Sequence, residues 1–337
     1  MKPILNKKPL SKIIGATVIA GAMSLSIVAE AATLKISHIR PQGATVDNEL
    51  RAFSKDVAAK TGDDVKVKIF AASALGDYTT VQERISIGAI DMAVQPAATA
   101  ASRQMQISAF PYVAENWDKA REIYGPNGAI YDAMKGLYAK QDITMLAAYP
   151  VYFGGVALNR DAVKPGDAYA EKGIKVRVPG IKSFQLTSDA LGYISSPIPF
   201  SEAFTAVQTG VVDGVIGSGA EGYYASFRDV TKTYVPVNTH FEVWYMIINT
   251  EKFNSLDSED QKALQQAAVD FEKTRWTKAE ADQGAFEQKL ADNGTTIVKL
   301  SNEELAAAAK KVRAEVWPKI MEDVGQEWAQ GILDKIK

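Results

Sequence analysis

Polar and apolar residues alternate over residues 34–39 and again over Val65-Lys66-Val67-Lys68-Ile69-Phe70, the period of a half-buried strand. Between them Leu50, Phe53, Val57 and Ala58 recur at helical spacing over 47–60, and Thr61-Gly62 closes that run. Asp77 is placed to cap a helix through Val81 and Ile85 to Gly88, and 90–95 reads as a third strand. This strand-helix-strand-helix-strand order predicts parallel pairing in an α/β lobe. The loops at the strand ends are where such lobes bind ligands.

Further along, 116–140 is helical in pattern, with a break at Gly125-Pro126-Asn127-Gly128. A strand over 143–148 is continued by 149–158 across a lobe boundary, and a polar loop fills 159–172. Lys175-Val176-Arg177-Val178 is a short strand with Lys175 and Arg177 on one face, and Pro179-Gly180 stops it. Ser201 is predicted to cap a helix carrying Ala203, Phe204 and Val207, which Gly210 ends before a buried strand over 211–216. An apolar strand over 241–248 and a turn over 249–257 follow. Ser258 with Gln261 suggests a capping box for a helix to Phe286 or beyond, about 38 Å long for roughly 25 residues. Ser301 with Glu304 suggests another, and Pro318 is predicted to kink or break the last helical region. No repeat or Ser/Pro/Gly-rich linker interrupts the chain, so its lobes are expected to be joined by strands.

The first 31 residues have a different character. Lys2, Lys7, Lys8 and Lys12 precede an uncharged, largely apolar run over 13–28, and Ala29-Glu30-Ala31 is an A-x-A cleavage pattern. That order predicts a secretory signal peptide cut near Ala31. The apolar run is short for a membrane span of about 20 residues. Its loss leaves roughly 300 residues, more than one core comfortably holds, and two lobes are expected. The full chain has a net charge of −2, and removing four lysines and one glutamate makes the remainder more acidic. Nucleic acid and anionic membrane surfaces are therefore poor partners. The chain has no cysteine and two histidines, so disulfides, thiol chemistry and thiolate metal sites are excluded. It also lacks G-x-S-x-G, a phosphate-cradling G-x-x-x-x-G-K and H-E-x-x-H, and no catalytic constellation emerges.

The region 173–219 contains KVRVPG, then LG, then PIPFSEAFTAVQTGVVDG. This resembles the signature of the substrate-binding proteins of TRAP (tripartite ATP-independent periplasmic) transporters. Leu75-Gly76-Asp77 with Gly88-Ala89-Ile90-Asp91, and Phe110-Pro111-Tyr112, match further stretches of the same pattern. The resemblance implies an α/β, two-lobed periplasmic-binding-protein fold with hinge strands and a long helix bridging both lobes. The expected lobes are 32–153 with 243–280, and 154–242 with 281–337. It further implies capture of a small organic anion, a carboxylate, in an interlobe cleft, and delivery to TRAP-type membrane permease subunits driven by an ion gradient. Such a receptor works in the periplasm, performs no chemistry and needs no cofactor, although some relatives bind a metal alongside the ligand. A receptor for an ATP-driven importer or a sensor, and an exported α/β enzyme, are the alternative readings.

Arg177 is the main candidate for the anion, because a guanidinium offers a planar fork that fits a carboxylate with two parallel bonds. Arg160, after Asn159, stands where relatives often place a second basic contact. Phe200 occupies the aromatic position of the motif and is suited to pack on the ligand. Gly217 stands where sialic-acid and dicarboxylate members carry Asn, so its backbone or the Ser218 hydroxyl is expected to take over. That departure, with Tyr223, Tyr224, His240, Glu242 and Trp244 in the segment where the lobes meet, points to a ligand with an apolar or aromatic body. His38, at the end of the first strand, is a further candidate contact.

Overall fold

The two alternating stretches at the front of the chain pair in parallel, with Leu34 beside Val67 and Ile36 beside Ile69. The computed structural model describes residues 31–336. The signal-peptide segment therefore lies outside the described residues, apart from Ala31. Eleven strands occur among the described residues: β1 (Ala32–Ser37), β2 (Val65–Phe70), β3 (Met92–Gln95), β4 (Ile143–Phe153), β5 (Gly155–Leu158), β6 (Lys175–Val178), β7 (Ile194–Pro197), β8 (Gly214–Ser218), β9 (Thr233–Val235), β10 (Phe241–Asn249) and β11 (Thr296–Ile297). They form two sheets, ordered β2-β1-β3-β10-β4 and β11-β9-β5-β8-β6-β7. Each sheet mixes parallel pairs with an antiparallel strand that arrives from the other lobe.

The chain passes from the first sheet to the second at Gly154, between β4 and β5, and returns between β9 and β10. These two strand crossings lie side by side, and the long helix between β10 and β11 makes a third. The Gly154 N–H donates to the His240 carbonyl at 2.8 Å, and the Thr239 N–H to the Gly154 carbonyl at 2.9 Å. A helix of 35 residues, Ser258–Asp292, about 52 Å long, packs on β4 and the helix Thr45–Lys60 of the first lobe. It also packs on β11 and the helix Ala220–Phe227 of the second. Leu264, Ala267, Ala268, Phe271, Arg275 and Ala279 form its buried stripe at helical spacing. The fold is thus a two-lobed α/β architecture with hinge strands and a bridging helix.

Several local expectations are corrected. The helix expected from Ser201 starts at Phe200 with Pro199 as its cap residue. Pro199 pre-sets the entry, and the Ser201 hydroxyl faces Asp77 of the other lobe at 3.5 Å. The strand expected over 211–216 runs from Gly214 to Ser218 instead. Val211 and Val212 are consumed in leaving the preceding helix, whose Ala206 carbonyl holds both their amides. The turn at 249–257 contains a short helix, Thr250–Asn254, capped by the Asn249 side chain. Ser258 is not a cap: the long helix opens at Asp257, whose carbonyl takes the Gln261 N–H. The Ser301–Glu304 capping box is present in full. Pro318 does not break its helix, which runs from Asn302 to Val324. Buried Val312, Val316, Ile320 and Met321 on both sides of the proline hold the helix against the lobes.

Candidate functional site

β6 ends at Val178, and Pro179-Gly180 turns the chain away from the sheet. The strand carries Arg177 to the edge of a cleft between the two sheets. Its guanidinium is 2% exposed, and its Nε donates to the Ile198 carbonyl at 2.8 Å. Among the described residues no carboxylate forms an ion pair with it, and burial lowers its pKa from the ordinary arginine value. The side chain nevertheless stays protonated, as arginine does in proteins. Arg177 lines a cleft together with Ile39, Tyr78, Pro96, Ile181, Phe184, Phe241 and Val243, among others, and no hydrogen bond among the described residues uses its two terminal nitrogens.

A second guanidinium meets the same cleft from the opposite lobe. Arg40, in the loop after β1, is fully buried and bonded on several sides. Its Nε donates to Glu221 at 3.1 Å, and its Nη2 to the Ser218 hydroxyl at 2.8 Å and to Glu242 at 3.4 Å. Burial alone would lower its pKa, but Glu221 and Glu242 outweigh that and raise it. Glu242 in turn is saturated: Ser218 Oγ and the Gly219 N–H donate to one oxygen, and Trp244 Nε1 to the other. Burial raises the Glu242 pKa despite Arg40. The Phe200 ring lies between the two cations, 5.3 Å from Arg40 Cζ and 5.7 Å from Arg177 Cζ. Trp244 flanks Arg40 at 4.7 Å.

Two glycines make this arrangement possible. Gly217 is the extra residue of a β-bulge, lying between the pairs Gly155–Ser218 and Val156–Ile216. Its φ of +121° suits glycine, and a Cβ there would lie 2.8 Å from the Pro179 ring. At Gly222 a Cβ would collide with Ser218 Oγ and Arg40 Nη2, so only glycine admits the Arg40 cluster.

Of the residues singled out in the sequence, Arg177, Phe200, Gly217, His240 and Glu242 come together on the cleft wall. His240 is buried and neutral, its pKa pushed down to about 3 by burial. Its Nδ1 lies 2.9 Å from the Thr239 hydroxyl, while Nε2 has no partner among the described residues. Ser218 and Trp244 stand one layer back, holding Glu242 and Arg40 rather than facing the cleft. The Ser218 hydroxyl is therefore already committed, accepting from Arg40 and donating to Glu242.

Tyr223 is off the wall: its hydroxyl donates to the carbonyls of Gly155 and Val215 and ties β5 to β8. Tyr224 packs on Phe286 of the long helix. Arg160 is half exposed and sits 3.8 Å from Asp213, away from the cleft. His38 is also elsewhere. It has the strand parity of Leu34 and Ile36, and its Nε2 meets Asp47 on the helix Thr45–Lys60 at 3.2 Å. Burial lowers its pKa, against the opposing pull of Asp47.

Sequence reasoning missed Arg40, Tyr78 and Glu221. Arg40 had a signal: it follows the first strand at the end where α/β lobes bind ligands, two residues beyond the His38 that was chosen. Tyr78 lies beside the Asp77 cap, and burial pushes its phenol up to about 12, leaving it a neutral donor near Arg177. Among the described residues, no group of three or more His, Asp or Glu is placed to hold a metal ion.

The sequence model of bacterial extracellular solute-binding protein family 7 matches residues 36–323. A solute-binding protein of Roseobacter denitrificans is 26% identical over 304 residues, 87% of this chain and 90% of that protein. The C4-dicarboxylate-binding periplasmic protein of Rhodobacter capsulatus is 24% identical, covering 96% and 97%. Among solved structures, the sugar acid binding protein of Advenella mimigardefordensis in complex with galactonate superposes with a TM-score of 0.84. It is 18% identical over 91% of this chain and 98% of that one. A Bordetella pertussis extracytoplasmic solute receptor binding pyroglutamic acid superposes with a TM-score of 0.80 at 20% identity, covering 91% and 99%.

Proposed function

Because the chain belongs to bacterial extracellular solute-binding protein family 7, we propose that it captures a small organic anion, a carboxylate, in the cleft between its two sheets and hands it to TRAP-type permease subunits. The observation that carries this reading is the buried Arg177 guanidinium, which has no carboxylate within ion-pair distance among the described residues. A cation in that position without a counter-ion is costly, and an anionic ligand removes the cost. The terminal nitrogens of Arg177 form the receptor for the carboxylate, and the Tyr78 hydroxyl adds a neutral donor. Phe200 and the Gly217 bulge shape the space around it, and His240 contributes to the opposite side.

The lobes follow the two sheets, with the crossings at Gly154 and before Phe241 acting as hinges around which the cleft opens for entry. Residues 1–31 serve as the export leader, and the protein works in the periplasm. The test is purification from the native host, unfolding, and mass spectrometry of what is released. One small organic acid, present in equal amount with the protein and rebinding unchanged, is the expected result. A product formed from that molecule during incubation, or equal occupancy in an Arg177→Ala variant, would overturn the reading.

A further inference from the structure

Resting on that reading, we infer that the ligand carries a single carboxylate on a compact, largely apolar ring-sized body, and that dicarboxylates and polyhydroxylated acids are excluded. Two independent features of the cleft lead there: the count of uncommitted charges, and the count of uncommitted polar atoms.

The cleft holds two guanidinium groups, but only one has an uncompensated charge. Arg40 already donates through Nε and Nη2 to Glu221, Ser218 and Glu242, and its charge is matched by carboxylates of the protein itself. A second ligand carboxylate would have to lie against Glu242 or against Ile39, Ile181, Phe184 and Val243. A buried charge in either place has no partner. Arg177 therefore sets the charge of the ligand at one.

The polar atoms of the wall are committed in the same way. Both oxygens of Glu242 are occupied by donors. The Ser108 hydroxyl donates to the Met105 carbonyl. Apart from Arg177 and Tyr78, the side-chain polar capacity left over among the described residues is small: Arg40 Nη1, the acceptor side of the Ser108 hydroxyl, and Nε2 of the neutral His240 ring. A sugar acid brings a hydroxyl on nearly every carbon and would leave most of them dry and unpaired. A ring would instead lie among Phe184, Phe200 and Phe241, with room for one further polar group at His240.

The experiment has two parts. Protein freed of ligand by unfolding and refolding is titrated by calorimetry with cyclohexanecarboxylate, benzoate, succinate and galactonate. The molecule released from protein of the native host is identified alongside. A ring monocarboxylate binding at least ~100-fold more tightly than succinate and galactonate is expected, as is a released acid with one carboxylate and at most one hydroxyl. Succinate or galactonate binding as tightly as the ring acids, or a released diacid or sugar acid, would overturn the inference and leave anion capture standing. A protein that binds none of the four and releases no acid overturns both.

Discussion

Arg177 gives its Nε to the carbonyl of Ile198 at 2.8 Å, and this bond fixes the guanidinium plane while leaving both terminal nitrogens for a ligand. The fork is held in place before anything binds. Removing it should therefore cost affinity more than stability. Arg177→Ala is expected to weaken binding of the native acid by about thirty- to several-thousandfold. Arg177→Lys keeps the charge without the fork and should also bind clearly less well than wild type. Calorimetry with melting curves checks both; a folded Arg177→Ala protein of unchanged affinity would mean that the guanidinium is structural.

Restoring the family-type residue at Gly217 should fail. Gly217→Asn must adopt φ near +121° and place a Cβ 2.8 Å from Pro179. Backbone strain of this kind costs about 1–3 kcal/mol, and the new side chain would fill the space beside Arg177. Urea unfolding should show the loss. A variant as stable as wild type with intact binding would show that the bulge relaxes freely.

Gly222→Ala is expected to act as a remote deletion of Arg40. The added methyl would collide with Arg40 Nη2 and Ser218 Oγ, and expelling the guanidinium leaves Glu221 and Glu242 buried without a cation. Breaking such a cluster costs about 3–5 kcal/mol. Arg40→Met should lose a similar amount. Burial already raises the Glu242 pKa, and the deficit should shrink on acidification as that carboxyl takes up a proton. Equal deficits at pH 5 and pH 8 would count against this account.

Glu272 predicts a pH dependence of folding with a defined sign. It is buried in the long helix, accepts from the Ala148 N–H at 3.1 Å and from Trp276 Nε1, and burial raises its pKa to about 7. The folded protein therefore holds a proton that the unfolded chain releases from about pH 4.5 upward. The contribution of this group is complete below pH 4.5 and is lost as pH rises through 7. The size is roughly 2–4 kcal/mol. Glu272→Gln should flatten stability between pH 5 and pH 8 in denaturant titrations. An unchanged slope would remove Glu272 as its source.

Hinge closure should be visible in solution. Ligand is expected to reduce the radius measured by small-angle scattering and to stabilise the fold by ~2.7 kcal/mol at a hundredfold excess over its dissociation constant. Confirmed binding with identical radii would argue for a fixed cleft.

Much of this arrangement was legible in the chain because it rests on local pattern. Alternation gave β1, β2 and β10, the 173–219 motif placed Arg177 and Phe200, and the Ser301–Glu304 box marked a helix start. What was not legible depends on contacts far apart in sequence. Arg40 meets Ser218, Glu221 and Glu242 across some 180 to 200 positions, and no local spacing encodes that. His38 and Arg160 are suggested by residue type at a strand end, where either side chain has two directions to take. The parity of Leu34 and Ile36 would have sent His38 toward the helix Thr45–Lys60. Ser258 failed as a cap because Asp257, one residue earlier, occupied that position first.

The Arg40 cluster joins the loop after β1 to β8 and the helix Ala220–Phe227 through the protein's own side chains. Pulling the two sheets apart has to break those bonds and strand charges that are paired, so the cluster acts as a latch across the cleft. On the reading proposed above, loaded and unloaded protein share that latch, and only the Arg177 side can tell them apart.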